Sequence, residues 1–303
     1  VSENKLGSDT PWCSASGCYF KALSLSAQCW EHQENKRKYI EQLERAVGAD
    51  EDLSGANLAK ITAEALRIPK ARLRGATLRG ARIKNLDADA ADLRGADLTS
   101  TVLEGASLDA ADMSGCLLEG AVLDAASAVK ANFRGAILTG ASLAGFNAPG
   151  ADFADSDLRY SSLPQAVLEG SVLSEARLEL AHLPNANLSR ADLSFAVLGR
   201  ADLTAALLDG AVLMRANLVG ARLCRASMQN ANIYYARLGR TDLRDADLTG
   251  ANLTRAICRE ADLRGAVLTG ATVHGAVFER ALLQGANAEG VEFAACNTKG
   301  AER

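Results

Sequence analysis

Aromatic side chains make up only 5% of this 303-residue chain, and it holds five prolines, three histidines and three methionines. An ordinary globular core draws more heavily on Phe, Tyr and Trp, so this interior must be filled by something more uniform. No run approaches the ~18 consecutive apolar residues of a membrane span. With 33 basic against 37 acidic residues, the net charge is -4. That argues against both a strongly basic nucleic-acid binder and an extreme polyanion. Residues 1–6 show no basic-then-apolar signal pattern. Seven cysteines, an odd number without a tight framework, fit a reduced and cytoplasmic protein. The missing initiator Met leaves open a processed chain or an excised domain. His32, His182 and His274 stand far apart without a matched nucleophile, and there is no phosphate loop or dinucleotide fingerprint. Neither catalysis nor a cofactor is expected.

What the chain does have is a period. Stepping by five from Leu53 reaches Leu58, Ala63, Ile68, Leu73 and Leu78, and continues to Thr298 without a break. Residues 51–300 thus form fifty pentapeptides, none with a charged centre, and Ala stands two residues before the centre in 37 of them. Five matches neither the 3.6 of a helix nor the alternation of a strand, so each unit must turn. Of 26 glycines, 21 lie two residues after a centre, and Pro69, Pro149, Pro164 and Pro184 lie one after. Pro followed by Gly is the central pair of a type II turn. Each unit is therefore a short extended piece, with one large and one small apolar residue inward, followed by a corner.

Units such as Ala91-Asp92-Leu93-Arg94-Gly95 and Ala251-Asn252-Leu253-Thr254-Arg255 resemble the pentapeptide-repeat family, whose pattern is A(D/N)LXX. The resemblance implies an all-β solenoid, a right-handed quadrilateral β-helix with four units per coil. Fifty units then make about 12 coils, roughly 60 Å at the spacing of stacked strands. A twenty-residue coil also agrees with the spacing of Pro164 and Pro184, twenty apart, and of Pro69 and Pro149, eighty apart. At Leu86/Ala88 and Phe146/Ala148 the bulky and small sites are exchanged, which conserves core volume.

Two domains are expected: residues 1–50 as an N-terminal cap with a helix at about 34–47, and residues 51–303 as the repeat. Tyr39, Ile40, Leu43 and Val47 form the apolar face of that helix, and Gly48 its stop. Trp12, Tyr19, Phe20 and Trp30 supply bulk over the first coil. Cys13, Cys18 and Cys29 are read as packing groups, with a Cys13–Cys18 disulfide or a redox role as the alternative. Only His32 lies nearby, so no metal is expected.

Functional information must sit in exceptions to the repeat. Phe195, Arg215 and Tyr235 are spaced by twenty at the corner position, with Met214 and Tyr234 beside them. This aromatic–Arg–aromatic stack is the first candidate partner patch. Val102, Leu117, Val122 and Ile137 are apolar where Asp or Asn is usual; they form a second candidate or pack across coils. Arg67, Lys70, Arg72, Arg74, Arg79, Arg82 and Lys84 form a basic belt without an interspersed acid. One side of the coil is net basic, with Arg159, Arg177, Arg240 and Arg259, and the opposite side acidic, with Asp89, Asp109 and Asp209.

The expected function is a non-enzymatic scaffold for an unidentified protein partner, self-association into a homodimer included. The family resemblance implies a second reading, mimicry of duplex DNA toward a type II topoisomerase with protection from gyrase-targeting drugs or toxins. Such a mimic needs a strongly anionic rod, which this charge balance does not supply. Binding of nucleic acid or an anionic surface through the 67–84 belt is a third reading.

Overall fold

The computed structural model describes residues 11–302; residues 1–10 of the expected cap lie outside the described range, as does residue 303. From residue 52 onward the backbone closes a coil every twenty residues. Parallel bridges join the residue just before a centre to the one twenty further on, from Asp52↔Arg72 to Leu282↔Glu302. Four pieces are long enough to count as strands: β1 (Thr62–Ala63), β2 (Leu66–Arg67), β3 (Arg82–Ile83) and β4 (Leu86–Asp87). β1 pairs in parallel with β3, Thr62 opposite Arg82, and β2 with β4, Leu66 opposite Leu86. Hydrogen bonds run both up and down the stack: Leu53 N donates to Arg72 O at 3.0 Å and Thr77 N to Ala56 O at 2.8 Å. Every coil is thus held chiefly by its two neighbours.

The period explains the core. Leu, Ile, Met and Phe at the centres and Ala two residues earlier are almost wholly buried through the rod. Both exchanged pairs fit: Leu86, Ala88, Phe146 and Ala148 are all at most 2% exposed. Phe146 meets Phe133 and Phe153 edge-on, and those two stack at 4.8 Å. Where Ser or Thr replaces the inner Ala, its hydroxyl donates to a buried carbonyl. Thr101 Oγ1 bonds Leu98 O at 2.8 Å and Ser171 Oγ bonds Leu168 O at 2.7 Å, which satisfies these inward donors.

The corners hold one surprise. Save at Ala65 and Ala295, the residue two after the centre has positive φ, as the turn type requires, but much more than glycine occupies it. Lys70, Tyr160, Leu180, Phe195 and Arg215 hold φ near +60, beside Gly75 at +64 and Gly95 at +65. No corner from 55 to 300 is Val, Ile or Thr, the residues for which this conformation is most costly.

Before the rod, among the described residues, lies one α-helix, α1 (Lys36–Gly48). Asn35 caps it, its side chain accepting from Lys38 N at 2.9 Å, which leaves Glu34 outside. Gly48 is its last residue rather than a stop; the left-handed turn falls at Asp50, φ 58. Tyr39, Leu43 and Ala46 are buried, with Ile40 and Val47 half-buried beside the core. Asn57 of the first coil stitches this segment on. Its side-chain amide donates to Ala22 O at 2.7 Å, and its backbone N–H to Ser24 Oγ at 2.9 Å. Tyr39 Oη donates to Ser24 O, and Glu44 accepts from Arg67 N. Among the described residues no helix is long and apolar enough to cross a membrane.

Candidate functional site

One corner of the coil carries the aromatic column. Along it Gly55, Gly75, Gly95, Gly115 and Gly135 give way to Asp155, Glu175, Phe195, Arg215, Tyr235 and Arg255, then to Gly275. The twenty-residue register stacks these side chains in consecutive coils. The Arg215 guanidinium lies 5.7 Å from the Phe195 ring centre and 5.9 Å from that of Tyr235. Arg255 continues the stack, 5.3 Å from the Tyr235 ring, and donates a hydrogen bond to Tyr235 Oη. Tyr234 packs edge-on to Tyr235 at 4.6 Å. Phe195 remains 45% exposed and Arg215 is exposed, while Met214, Tyr234 and Tyr235 are half-buried by the stack itself.

Two residues of the same kind escape a reading by sequence. Tyr160, 60% exposed, and Leu180, 45% exposed, are stacked corners of the adjacent column. The signal that picks out Phe195, a large side chain at a glycine-type corner, picks them out as well. Val102 and Leu117 belong to two different ladders. Val102 bridges Val122 and Leu117 bridges Ile137, all four half-buried. They form cross-coil pairs rather than one patch.

The charged surface is more neutral than the sequence suggests. Acids eighteen to twenty-two residues away become neighbours on the next coil. Arg67 lies 3.7 Å from Asp87, Arg72 3.8 Å from Asp50, Arg79 3.0 Å from Asp97 and Lys84 4.0 Å from Glu64. The belt, expected to be free of interspersed acid, therefore winds around the coil with carboxylates beside four of its seven members; Lys70, Arg74 and Arg82 complete it. On the net basic side Arg177 meets Glu179, Arg240 meets Glu260 and Arg259 meets Glu279. On the acidic side Asp89, Asp109 and Asp209 accept from Ser107, Ser127 and Ser227 of the following coil.

The units reading Asp-Leu-Arg make a further local pair. Arg94 chelates Asp92, Arg159 chelates Asp157, Arg244 chelates Asp242 and Arg264 chelates Asp262, each through Nε and a terminal nitrogen. These guanidinium hydrogen bonds hold all four carboxyls below the ordinary aspartate range.

The segment before the rod holds an arrangement that the sequence alone does not reveal. Cys13, Cys18, Cys29 and His32 place one ligand atom each within 4.8 Å of all the others. Cys13 follows the antiparallel bridge Trp12↔Lys21, and Cys18 follows the tight turn at Gly17. Cys29 caps a 3-10 turn, Trp30–His32, whose period of three puts Cys29 and His32 on one side. His32 Nδ1 is 3.5 Å from Cys13 Sγ and 3.3 Å from Cys29 Sγ, and Cys18 Sγ is 3.7 Å from Cys29 Sγ. The three sulfurs are unbridged thiols, so the alternative of a Cys13–Cys18 disulfide is not what forms; Cys13 and Cys29 are buried and Cys18 half-buried. The backbone N–H of Cys29, opposed by burial, draws the Cys13 thiol down to about 6. The expectation of no metal rested on His32 being the lone histidine nearby; three thiols and one imidazole already make a complete ligand set.

The family described as Pentapeptide repeats matches overlapping segments that together run from residue 52 to residue 285. Among solved structures, the chain is similar to HetL, a pentapeptide repeat protein involved in heterocyst differentiation regulation from the cyanobacterium Nostoc sp. strain PCC 7120. The identity is 31% over 68% of this chain and 86% of that one, with a TM-score of 0.37. Full-length QnrB1, a plasmid-mediated fluoroquinolone resistance protein, is 20% identical over 63% of this chain and 90% of its own, with a TM-score of 0.39. A pentapeptide repeat protein of the Arabidopsis thaliana thylakoid lumen is 31% identical over 35% of this chain and 64% of its own, with a TM-score of 0.18. No curated protein matches the sequence.

Proposed function

The chain belongs to the pentapeptide-repeat family, and from that premise we propose that it is a non-enzymatic, rigid scaffold that presents its corners to a protein partner. Family membership implies a right-handed β-helix. On this reading residues 51–303 are a rod of about 12 coils, and residues 1–50 are a cap over its first coil. Leu23, Trp30, Tyr39 and Leu43, all nearly buried in the shared core, support that role for the cap.

The observation that carries the reading is the Phe195–Arg215–Tyr235 stack with its neighbours Met214 and Tyr234. The same corner is built from glycine in five earlier coils, so the turn itself asks for no side chain. Large groups held at positive φ give up backbone comfort worth ~1–2 kcal/mol each, and Phe195 and Arg215 stay exposed all the same. Tyr, Phe, Arg and Met are also enriched in the cores of protein interfaces. Self-association through this corner is one form of the same proposal. Arg215→Ala and Tyr235→Ala should abolish capture of a partner from native-host extract while leaving the thermal midpoint nearly unchanged. Retention of every partner by both variants refutes this site.

The DNA-mimic reading has less support, because many acids along the rod are neutralised in ion pairs such as Arg79–Asp97, Arg240–Glu260 and Arg259–Glu279. A gyrase supercoiling assay showing neither inhibition nor drug protection would dispose of it. The belt at 67–84 likewise gives little support to nucleic-acid or anionic-surface binding, since its charges are partly neutralised in place.

A further inference from the structure

We propose that Cys13, Cys18, Cys29 and His32 bind one zinc ion that locks the segment before the rod onto its first coil. A zinc ion takes four ligands in a tetrahedron, at ~2.3 Å to sulfur and ~2.0 Å to nitrogen. Those bonds set the tetrahedron's edges at roughly 3.8 Å between sulfurs and roughly 3.5 Å between sulfur and nitrogen. Cys18 and Cys29 are 3.7 Å apart, and His32 Nδ1 lies 3.5 and 3.3 Å from Cys13 and Cys29. All three spacings fit the edges of one such tetrahedron.

A backbone donor faces one of the ligand sulfurs. The N–H of Phe20 points at Cys18 Sγ, 3.5 Å away, as a donor stabilising a negative sulfur would. Each half of the ligand set has its own frame. The loop between Trp12 and Lys21, closed by Cys13 N to Phe20 O at 2.9 Å, supplies Cys13 and Cys18. The 3-10 turn supplies Cys29 and His32. Ser14 N donates to Ala27 O at 2.9 Å and so holds the two halves side by side, with their four ligand atoms facing one another.

Four protein ligands leave no open position, which makes the site structural rather than catalytic. Binding replaces the three thiol protons by Zn2+, with release of up to three protons to solvent. The neutral imidazole coordinates through Nδ1, and the site carries a net charge of -1. The consequence for the fold runs through Trp30. This residue sits between Cys29 and His32, is nearly buried, and meets Tyr39 edge-on at 6.2 Å above the first coil. Fixing the turn at both of its ends fixes Trp30, which shares one buried core with the first coil.

The test is metal analysis of the full chain purified without chelator, with zinc as the probe. The expected result is one zinc per chain. Cys18→Ser and His32→Ala should fall to less than about a tenth of that, while His32→Cys and Cys224→Ser should keep it. Cobalt in place of zinc should show the intense visible absorption of a tetrahedral thiolate site. Because the periodic rod folds by neighbour contacts, the ligand variants should retain its circular dichroism. Chelation should speed amide exchange at least about tenfold in residues 12–50 and the first coil, with later coils unaffected. A zinc-supplemented wild-type chain that holds no metal after dialysis overturns the proposal, as does full occupancy in Cys18→Ser, or exchange that chelation leaves unchanged.

Discussion

The corner that starts at Gly55 is built twice in one molecule. From Gly55 to Gly135 it is bare; from Asp155 to Arg255 it carries side chains of every size. Both stretches make the same turn, φ +64 to +71 for the glycines and +57 to +61 for the others. A difference in side chain with no difference in backbone separates what the fold needs from what it merely permits. The fold needs a left-handed residue there and tolerates any that is not β-branched. What stands at Phe195, Arg215 and Tyr235 is therefore free to serve a contact.

The sharpest way to break this comparison is to put a β-branched residue into the bare half. A Cβ added at Gly115 would meet open space, so only its φ of +66 resists substitution. Gly115→Val should cost about 2 kcal/mol in a urea melt, and Gly115→Phe clearly less. Equal losses would mean that the corner's tolerance is not conformational. Next in size, the combined change Phe195→Gly, Arg215→Gly and Tyr235→Gly should shift stability by less than about 1 kcal/mol, because relief of the strained φ offsets the extra freedom of the unfolded chain. A larger loss would make the stack a structural element. A double-mutant cycle between Phe195 and Arg215 should give a coupling of ~0.5–1 kcal/mol.

The smallest effect is on acid sensitivity. The chelated aspartates titrate below their unfolded values, so their stabilising share is complete above about pH 4 and is lost as pH falls through the folded pKa values. Asp92 and Asp157 stand far apart in the first half of the rod, whereas Asp242 and Asp262 occupy consecutive coils of the second half and share Arg244. Amide exchange should therefore rise most in the adjacent coils that carry Asp242 and Asp262 on acidification from about pH 5 to about pH 3, and a uniform rise along the rod contradicts this assignment.

The rod was legible because every coil repeats the same decision. Leu at the centre, Ala two before and a turn two after were readable at Ala91–Gly95 and again at Ala261–Gly265, and the twenty-residue register then places each side chain. What stayed hidden depends on proximity across coils or on a single copy. Asp87 lies beside Arg67 only after the chain has gone once around, so the basic belt looked more strongly charged than it is. Lys70, Phe195 and Tyr235 at positive φ could not be inferred from a turn rule that asks for Gly. The Cys/His cluster was hidden for another reason. Cys13, Cys18, Cys29 and His32 become one constellation only through the Trp12↔Lys21 bridge and the 3-10 turn, neither of which has a period to betray it. The helix boundary moved to 36–48 because Asn35 supplies the cap and Asp50 the turn.

The most direct test of the corner as a contact surface uses the molecule as its own control. The same photoreactive phenylalanine analogue is placed at Phe195 in one sample and at Gly115 in another, two positions in a single column with like backbone geometry. Irradiation in native-host extract should yield a cross-linked partner, or a cross-linked second copy of the chain, from position 195 and none from position 115. Equal yields from both positions, or none from either, would contradict the assignment of this corner.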